Sequence, residues 1–203
     1  VYGCSVPMGT NDLYATCFLD VYVGSHGESL LTPEHKANLT SDTAIQGIKF
    51  WTDMYKNNSP ADSINYNTLD QATLYYQGKN AFDFNSGFHI GGVESNTPEL
   101  MDYIDCAPVP TINKGDQPDY IVNNMPVGML PALKEITDDP AFLADPTIQK
   151  YQHAMEVISD ALSHGTYVGM EYGPCVEAGI LANQRVVENM FQDIVLNLSL
   201  IHI

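Results

Sequence analysis

Apolar side chains recur along this chain mostly at spacings of three and four, the period of a helix with one buried face. Leu13, Tyr14, Cys17, Phe18 and Val21 form one such stripe, with Thr10 or Asn11 placed to cap it. Ala44, Ile45, Ile48, Trp51 and Tyr55 form a second behind the caps Ser41 and Asp42, and Trp51, on so regular a stripe, reads as core. Leu69, Ala72 and Tyr76 predict a short amphipathic helix that Gly78 ends. Asp145-Pro146 opens a helix carrying Ile148, Tyr151, Met155, Ile158 and Leu162 until Gly165 stops it. Pro174 opens a last long helix through Val176, Ile180, Val187, Phe191 and Ile194.

Shorter stretches read as strands. Residues 1–5 are one, and residues 80–84 (Asn-Ala-Phe-Asp-Phe) alternate as a strand does. Ile104-Asp105-Cys106-Ala107 is another, which ends at Pro108 and Pro110 because proline cannot join a central ladder. The expected fold class is therefore α/β, a mixed β-sheet flanked by helices on both faces. After residues 80–84 comes Asn85-Ser86-Gly87-Phe88-His89-Ile90, a glycine-containing turn with one aromatic. That order delivers a ring and several polar groups to the carboxyl end of a strand, where open α/β sheets bind small ligands.

The chain's 203 residues suffice for one well-buried domain. Eight basic residues against 25 acidic ones give a net charge of −17, which excludes nucleic acid and anionic membrane surfaces as partners. No apolar run approaches the roughly 20 residues of a membrane span. The first residues read as a strand entered mid-fold, so a fragment of a longer protein is expected. Cys4, Cys17, Cys106 and Cys175 fall at no metal-ligand spacing and read mostly as small buried side chains, their pairing open. Asp138, Asp139 and Asp145 lack the glycine and terminal glutamate of a calcium loop and read as helix caps. His89, with no second ligand at a metal spacing, reads as a solvated or capping histidine. No cofactor is expected.

The block Tyr75-Tyr76-Gln77-Gly78-Lys79-Asn80-Ala81-Phe82, with Phe88 beyond it, resembles the "helix, F-x-x-G-K-x-A-M, strand, N-G-x-W" signature of extracellular solute-binding proteins, family 1, of carbohydrate ABC transporters, the group that includes maltose-binding protein. Ala44-Ile45-Gln46-Gly47-Ile48-Lys49-Phe50-Trp51-Thr52-Asp53-Met54 resembles another helix of that family. Ala107-Pro108-Val109-Pro110 is similar to its "A-P-x-P" strand, and Leu130-Pro131-Ala132 to its "L-P-A" return. The resemblance implies a type II periplasmic-binding-protein lobe. Residues 1–124 would be the first segment of the C-terminal lobe and 125–197 its closing helical segment. A strand and helix that the family places between Tyr120 and Pro126 are missing, as is the amino-terminal lobe. Residues 198–203 do not continue the last helix and read as a non-native tail.

The implied function is the substrate-binding component of an ABC importer, holding a sugar or oligosaccharide without chemistry. Its partners would be the carbohydrate and the permease subunits. The protein would be a monomer, extracellular or periplasmic, meeting the membrane only through a lipid anchor outside this chain. Phe88, where the family carries tryptophan, would stack on the apolar face of a sugar. Asn85 and Ser86 would bond its hydroxyls, and Gly87 would let the backbone approach; plain turn chemistry explains these three equally well. Met8, Gly9 and Asn11, between the first strand and its helix, and Tyr167, Glu171 and Tyr172, before the last helix, complete the expected ligand-binding set. A secreted glycosidase using paired carboxylates such as Asp83 and Glu171 is the rival from another class, and a sensor module of the same fold is a third reading.

Overall fold

The structure, a computed structural model, describes residues 1–111, 120–121 and 134–196, with the backbone alone at Phe88, Tyr120, Ile121, Lys134, Leu162, Ser163, His164 and Thr166. Among these residues ten α-helices follow one another: α1 Tyr14–Gly24, α2 Asp42–Asn58, α3 Thr68–Tyr76, α4 Phe88–Asn96, α5 Lys134–Thr137, α6 Pro140–Leu143, α7 Pro146–Lys150, α8 Gln152–His164, α9 Val176–Asn183 and α10 Val186–Val195. The "L-P-A" return at 130–132, most of the stretch expected to have lost a strand and helix, and the tail 198–203 lie outside the described residues.

The core forms where α1 packs against α2 and α10. Phe18, Leu19, Val23, Ile48, Trp51, Phe191 and Ile194 meet there, all buried. Trp51 stacks on Phe18 with ring centroids 4.7 Å apart and donates its indole N–H to the Phe18 carbonyl at 2.9 Å, so the reading of Trp51 as core agrees with its surroundings. Ser41 caps α2 as expected, its hydroxyl accepting the Ala44 N–H at 3.2 Å. Asn67 and Asp70 close a capping box on α3. Asp139 and Asp145 cap α6 and α7, accepting the Ala141 and Thr147 N–H groups at 2.7 and 2.8 Å.

α1 is held differently from expectation. Neither Thr10 nor Asn11 caps it; Asp12 accepts the Tyr14 N–H at 3.1 Å. Glu188, reaching across from α10, accepts the Thr16 N–H at 3.0 Å and the Thr16 hydroxyl at 2.6 Å. A carboxylate thus serves donors that the first turn of every helix leaves without intrahelical partners. The buried face is Ala15, Thr16, Phe18, Leu19, Asp20 and Val23, rotated from the predicted stripe.

Among the described residues there is no mixed α/β sheet. Helix accounts for 55% of the described chain and strand for 3%. Two strands of two residues, β1 Tyr120–Ile121 and β2 Gly165–Thr166, pair in parallel. Residues 1–9 run extended, and Cys4, Val6 and Met8 are buried. Tyr2 and Gly3 pair briefly with residues 79–82, the Tyr2 N–H donating to the Lys79 carbonyl at 2.7 Å and the Ala81 and Phe82 N–H groups to the Tyr2 and Gly3 carbonyls at 3.0 and 2.9 Å. Beyond them the backbone bonds go to loops. Met8 N–H donates to the Ser63 carbonyl at 3.1 Å, Gly9 N–H to the Tyr66 carbonyl at 3.0 Å, and Val6 N–H to the Ser59 hydroxyl at 3.0 Å. From residues 80–84 only Asn80 bridges, to Tyr2. Residues 104–110 form no strand either.

Three helical expectations change as well. The glycine-containing turn leads at once into α4, whose run of Gly91 and Gly92 hides it from propensity arguments. The helix from Asp145 breaks at Tyr151 into α7 and α8. The helix from Pro174 breaks at Arg185, which adopts the left-handed region at φ 52°, giving α9 and α10.

Candidate functional site

A hollow of about 170 Å³ opens where α3, the 83–87 segment, the start of α4, residues 104–107 and α8 converge. Asn85, Ser86 and Gly87 line it together with Asp83 and His89. Tyr75 of α3, Ile104 and Cys106, and Val157 and Ile158 of α8 supply the opposite walls. Asp105 lines it too, so polar groups and carboxylates mix with apolar side chains around the hollow, as they do in small-molecule sites. The volume lies below the roughly 300–1,000 Å³ typical of small-molecule pockets.

The polar side is tightly organised. Gln71, fully buried on α3, donates its amide to Asp83 Oδ1 at 2.6 Å and to the Phe84 carbonyl at 3.4 Å. Asp83 Oδ2 meets His89 Nδ1, with both side chains almost wholly buried. His89 also packs against Tyr76, ring centroids 5.6 Å apart. Asn85 Oδ1 accepts the Tyr14 hydroxyl at 2.5 Å and the Ser86 N–H at 3.0 Å. Its Nδ2 is buried and has no acceptor among the described residues. Burial pushes the Tyr75 phenol above its ordinary range, and negative charge at Asp83 and Cys106 adds to the effect. Burial likewise raises the Tyr14 phenol, with Cys17, Asp83 and Asp12 contributing. Both phenols stay protonated near neutrality, and that of Tyr14 donates to Asn85.

Of the expected ligand residues, Asn85, Ser86 and Gly87 come together here. Phe88 occupies the first position of α4, and its side chain lies outside the description. Met8 is fully buried in the core. Gly9 is packed so closely that a Cβ there would lie 2.7 Å from the Tyr66 carbonyl oxygen. Asn11 is exposed, and none of these three lines the hollow. Tyr167 and Tyr172 are about half exposed, at 48% and 49%. Glu171 accepts the Ser29 hydroxyl at 2.5 Å, so the third group also sits apart from the hollow. His89 is neither solvated nor capping: it is a buried partner of Asp83. No local spacing in the sequence marks that pair, which forms through the docking of α3 against the start of α4.

The architecture around this hollow has the fold of periplasmic binding proteins. The structure to which the chain is similar is that of a proposed oligosaccharide periplasmic-binding protein from Synechococcus sp. MITs9220, with a TM-score of 0.64 and 16% identity over 98% of this chain and 57% of that one. The chain therefore spans a little over half the length of that protein. No family model matches the sequence, and no curated protein does.

Proposed function

We propose that this chain is one lobe of a solute-binding protein that captures a sugar or oligosaccharide at the Asn85–Gly87 hollow and leaves it chemically unchanged. On this reading residues 1–124 and 125–197 are two segments of the C-terminal lobe, working outside the cytoplasmic membrane and presenting ligand to the permease subunits of an ABC importer. The observation that carries the proposal is a convergence: the residues singled out by the family-like signature line a polar-and-apolar hollow within a periplasmic-binding-protein fold. Sugars need that mixture, hydroxyl partners on one side and an apolar surface for the C–H face.

The glycosidase alternative needs two carboxylates flanking one bond. Asp83 lines the hollow and is engaged by Gln71 and His89, whereas Glu171 is bonded to Ser29 and does not line it.

Titration calorimetry with mono- and oligosaccharides tests the proposal. Trp51 serves as a second reporter, because its ring lies 5.7 Å from that of Phe84, next in sequence to Asn85. A single wall predicts a Kd on the order of millimolar, about −4 kcal/mol. Asn85→Ala should weaken it about fivefold to tenfold, the worth of one net hydrogen bond of about 1–1.5 kcal/mol. Heat from no saccharide at all, or turnover of chromogenic glycosides lost in Asp83→Asn, overturns the proposal.

A further inference from the structure

We infer that His35, Cys175 and Glu177 form a binding site for a borderline-soft divalent cation of the zinc type, away from the hollow and unrelated to sugar capture. The three residues offer one imidazole nitrogen, one thiol sulfur and one carboxylate oxygen, all within 4.8 Å of one another. His35 Nδ1 already stands 3.9 Å from Glu177 Oε2. The donors come from positions some 140 residues apart in sequence, so no local motif announces them.

Each donor is delivered by a specific piece of backbone. His35 closes a tight turn between Leu31 and Ala37, which bridge in antiparallel register. The His35 N–H donates to the Thr32 carbonyl at 2.8 Å, and the Thr32 N–H to the Lys36 carbonyl at 2.8 Å. Pro33 and Glu34 take the centre of the turn, and His35 takes the following position at φ 60°. That left-handed position usually belongs to glycine in three-residue hairpin loops. Here it carries an imidazole, one of the few side chains enriched there. Cys175 is the N-cap residue of α9, yet its side chain caps nothing. Cys175 packs partly against the core, and its thiol points to the Gly169 carbonyl at 3.8 Å. Glu177 stands in the first turn of α9, half exposed and able to swing.

The donor set selects the ion. A thiolate with an imidazole and one carboxylate suits zinc and its neighbours, whereas calcium and magnesium take oxygen cages. A tetrahedral ion bonded at about 2.0–2.3 Å holds its donors about 3.5 Å apart. Half-buried and exposed side chains reach that spacing from the observed one by rotamer adjustment, and water completes the fourth position. The Cys175 S–H bond gives up its proton to solvent as the sulfur–metal bond forms, so binding weakens as pH falls. The bound ion would tie the 31–37 hairpin to the start of α9.

Titrating the full reduced chain with Co²⁺ as a spectroscopic stand-in tests this. We expect one equivalent to bind with thiolate-to-cobalt charge-transfer absorption and the intense visible bands of four-coordinate cobalt, both reversed by Zn²⁺ and unaffected by excess Mg²⁺. Cys175→Ser should abolish the charge-transfer band. His35→Asn, which tolerates the left-handed backbone, should weaken binding about tenfold or more, since even an outer-shell loss has about that effect. Far-ultraviolet circular dichroism of both metal-free variants should match the parent. Weak six-coordinate cobalt bands without charge transfer, a band that survives Cys175→Ser, or an unchanged affinity in His35→Asn overturns the inference.

Discussion

Glu188 is the residue on which the α1–α10 interface turns. It is fully buried, and one oxygen of its carboxylate satisfies both the backbone N–H and the hydroxyl of Thr16. Asp20 is buried close by, and the nearby Cys17 thiol registers this concentration of acid. Burial first, then Asp20, Glu188 and Asp12, push that thiol up to about 12 from 9.0. The sign of the consequence follows from proton counting. Below pH 9 both folded and unfolded chains keep the thiol proton, and the stabilising contribution is fully present. Above it the unfolded chain releases the proton while the folded chain holds it until about 12, so stability falls by up to about 1.4 kcal/mol per pH unit from this group alone. Urea unfolding at pH 8, 9 and 10 should show the parent losing stability more steeply than Cys17→Ala above pH 9. Parallel profiles for the two proteins contradict the assignment.

At the scale of elements, what the sequence displays is local chemistry, and what it hides is partnership. Ser41, Asp139 and Asp145 are readable as caps because each bonds an N–H two or three residues ahead. Residues 1–5 read as a strand, and residues 4–9 are continuously buried. Whether such a segment joins a ladder depends on what lies beside it: residues 79–82 pair with Tyr2 and Gly3 only, and past them Ser59, Ser63 and Tyr66 lie beside it. The break between α9 and α10 at Arg185 carries no glycine or proline to mark it. The site divides in the same way: Asn85, Ser86 and Gly87 are legible as a contiguous motif, while Gln71, Asp83 and His89 meet only once α3 and α4 are docked. That docking depends on Gly92. A Cβ at this position of α4 would lie 2.1 Å from the Tyr76 hydroxyl and 2.2 Å from its ring carbon, and Tyr76 in turn packs on His89. Helix propensity alone would make Gly92→Ala stabilising by about 1 kcal/mol. The crowding predicts the opposite, a loss of about 1–3 kcal/mol, as overpacked cores show. Chemical denaturation reads the sign directly, and a stabilised variant refutes the α3–α4 contact as the determinant.

For the molecule as a whole, the decisive relation is between one hollow and the rest of the protein to which the fold is similar. This chain corresponds to 57% of that structure, and its hollow is about 170 Å³. Two-lobed binding proteins gain affinity by closing a hinge around the ligand, so that contacts from both walls are made at once. On the proposed reading, in which this chain acts as one lobe, it offers a wall and makes its contacts without closing a hinge. Its response to sugar is therefore predicted to be local: side chains at Asn85 and the Asp83–His89 pair adjust, and the envelope stays as it is. For 203 residues a compact radius of gyration is about 17 Å. Small-angle scattering on the chain, with and without saturating saccharide, should give the same radius to within about 0.5 Å. A ligand-dependent contraction well beyond that would mean that two parts of this chain close on each other. The sugar site would then lie between those parts and not in the hollow beside α3 and α4.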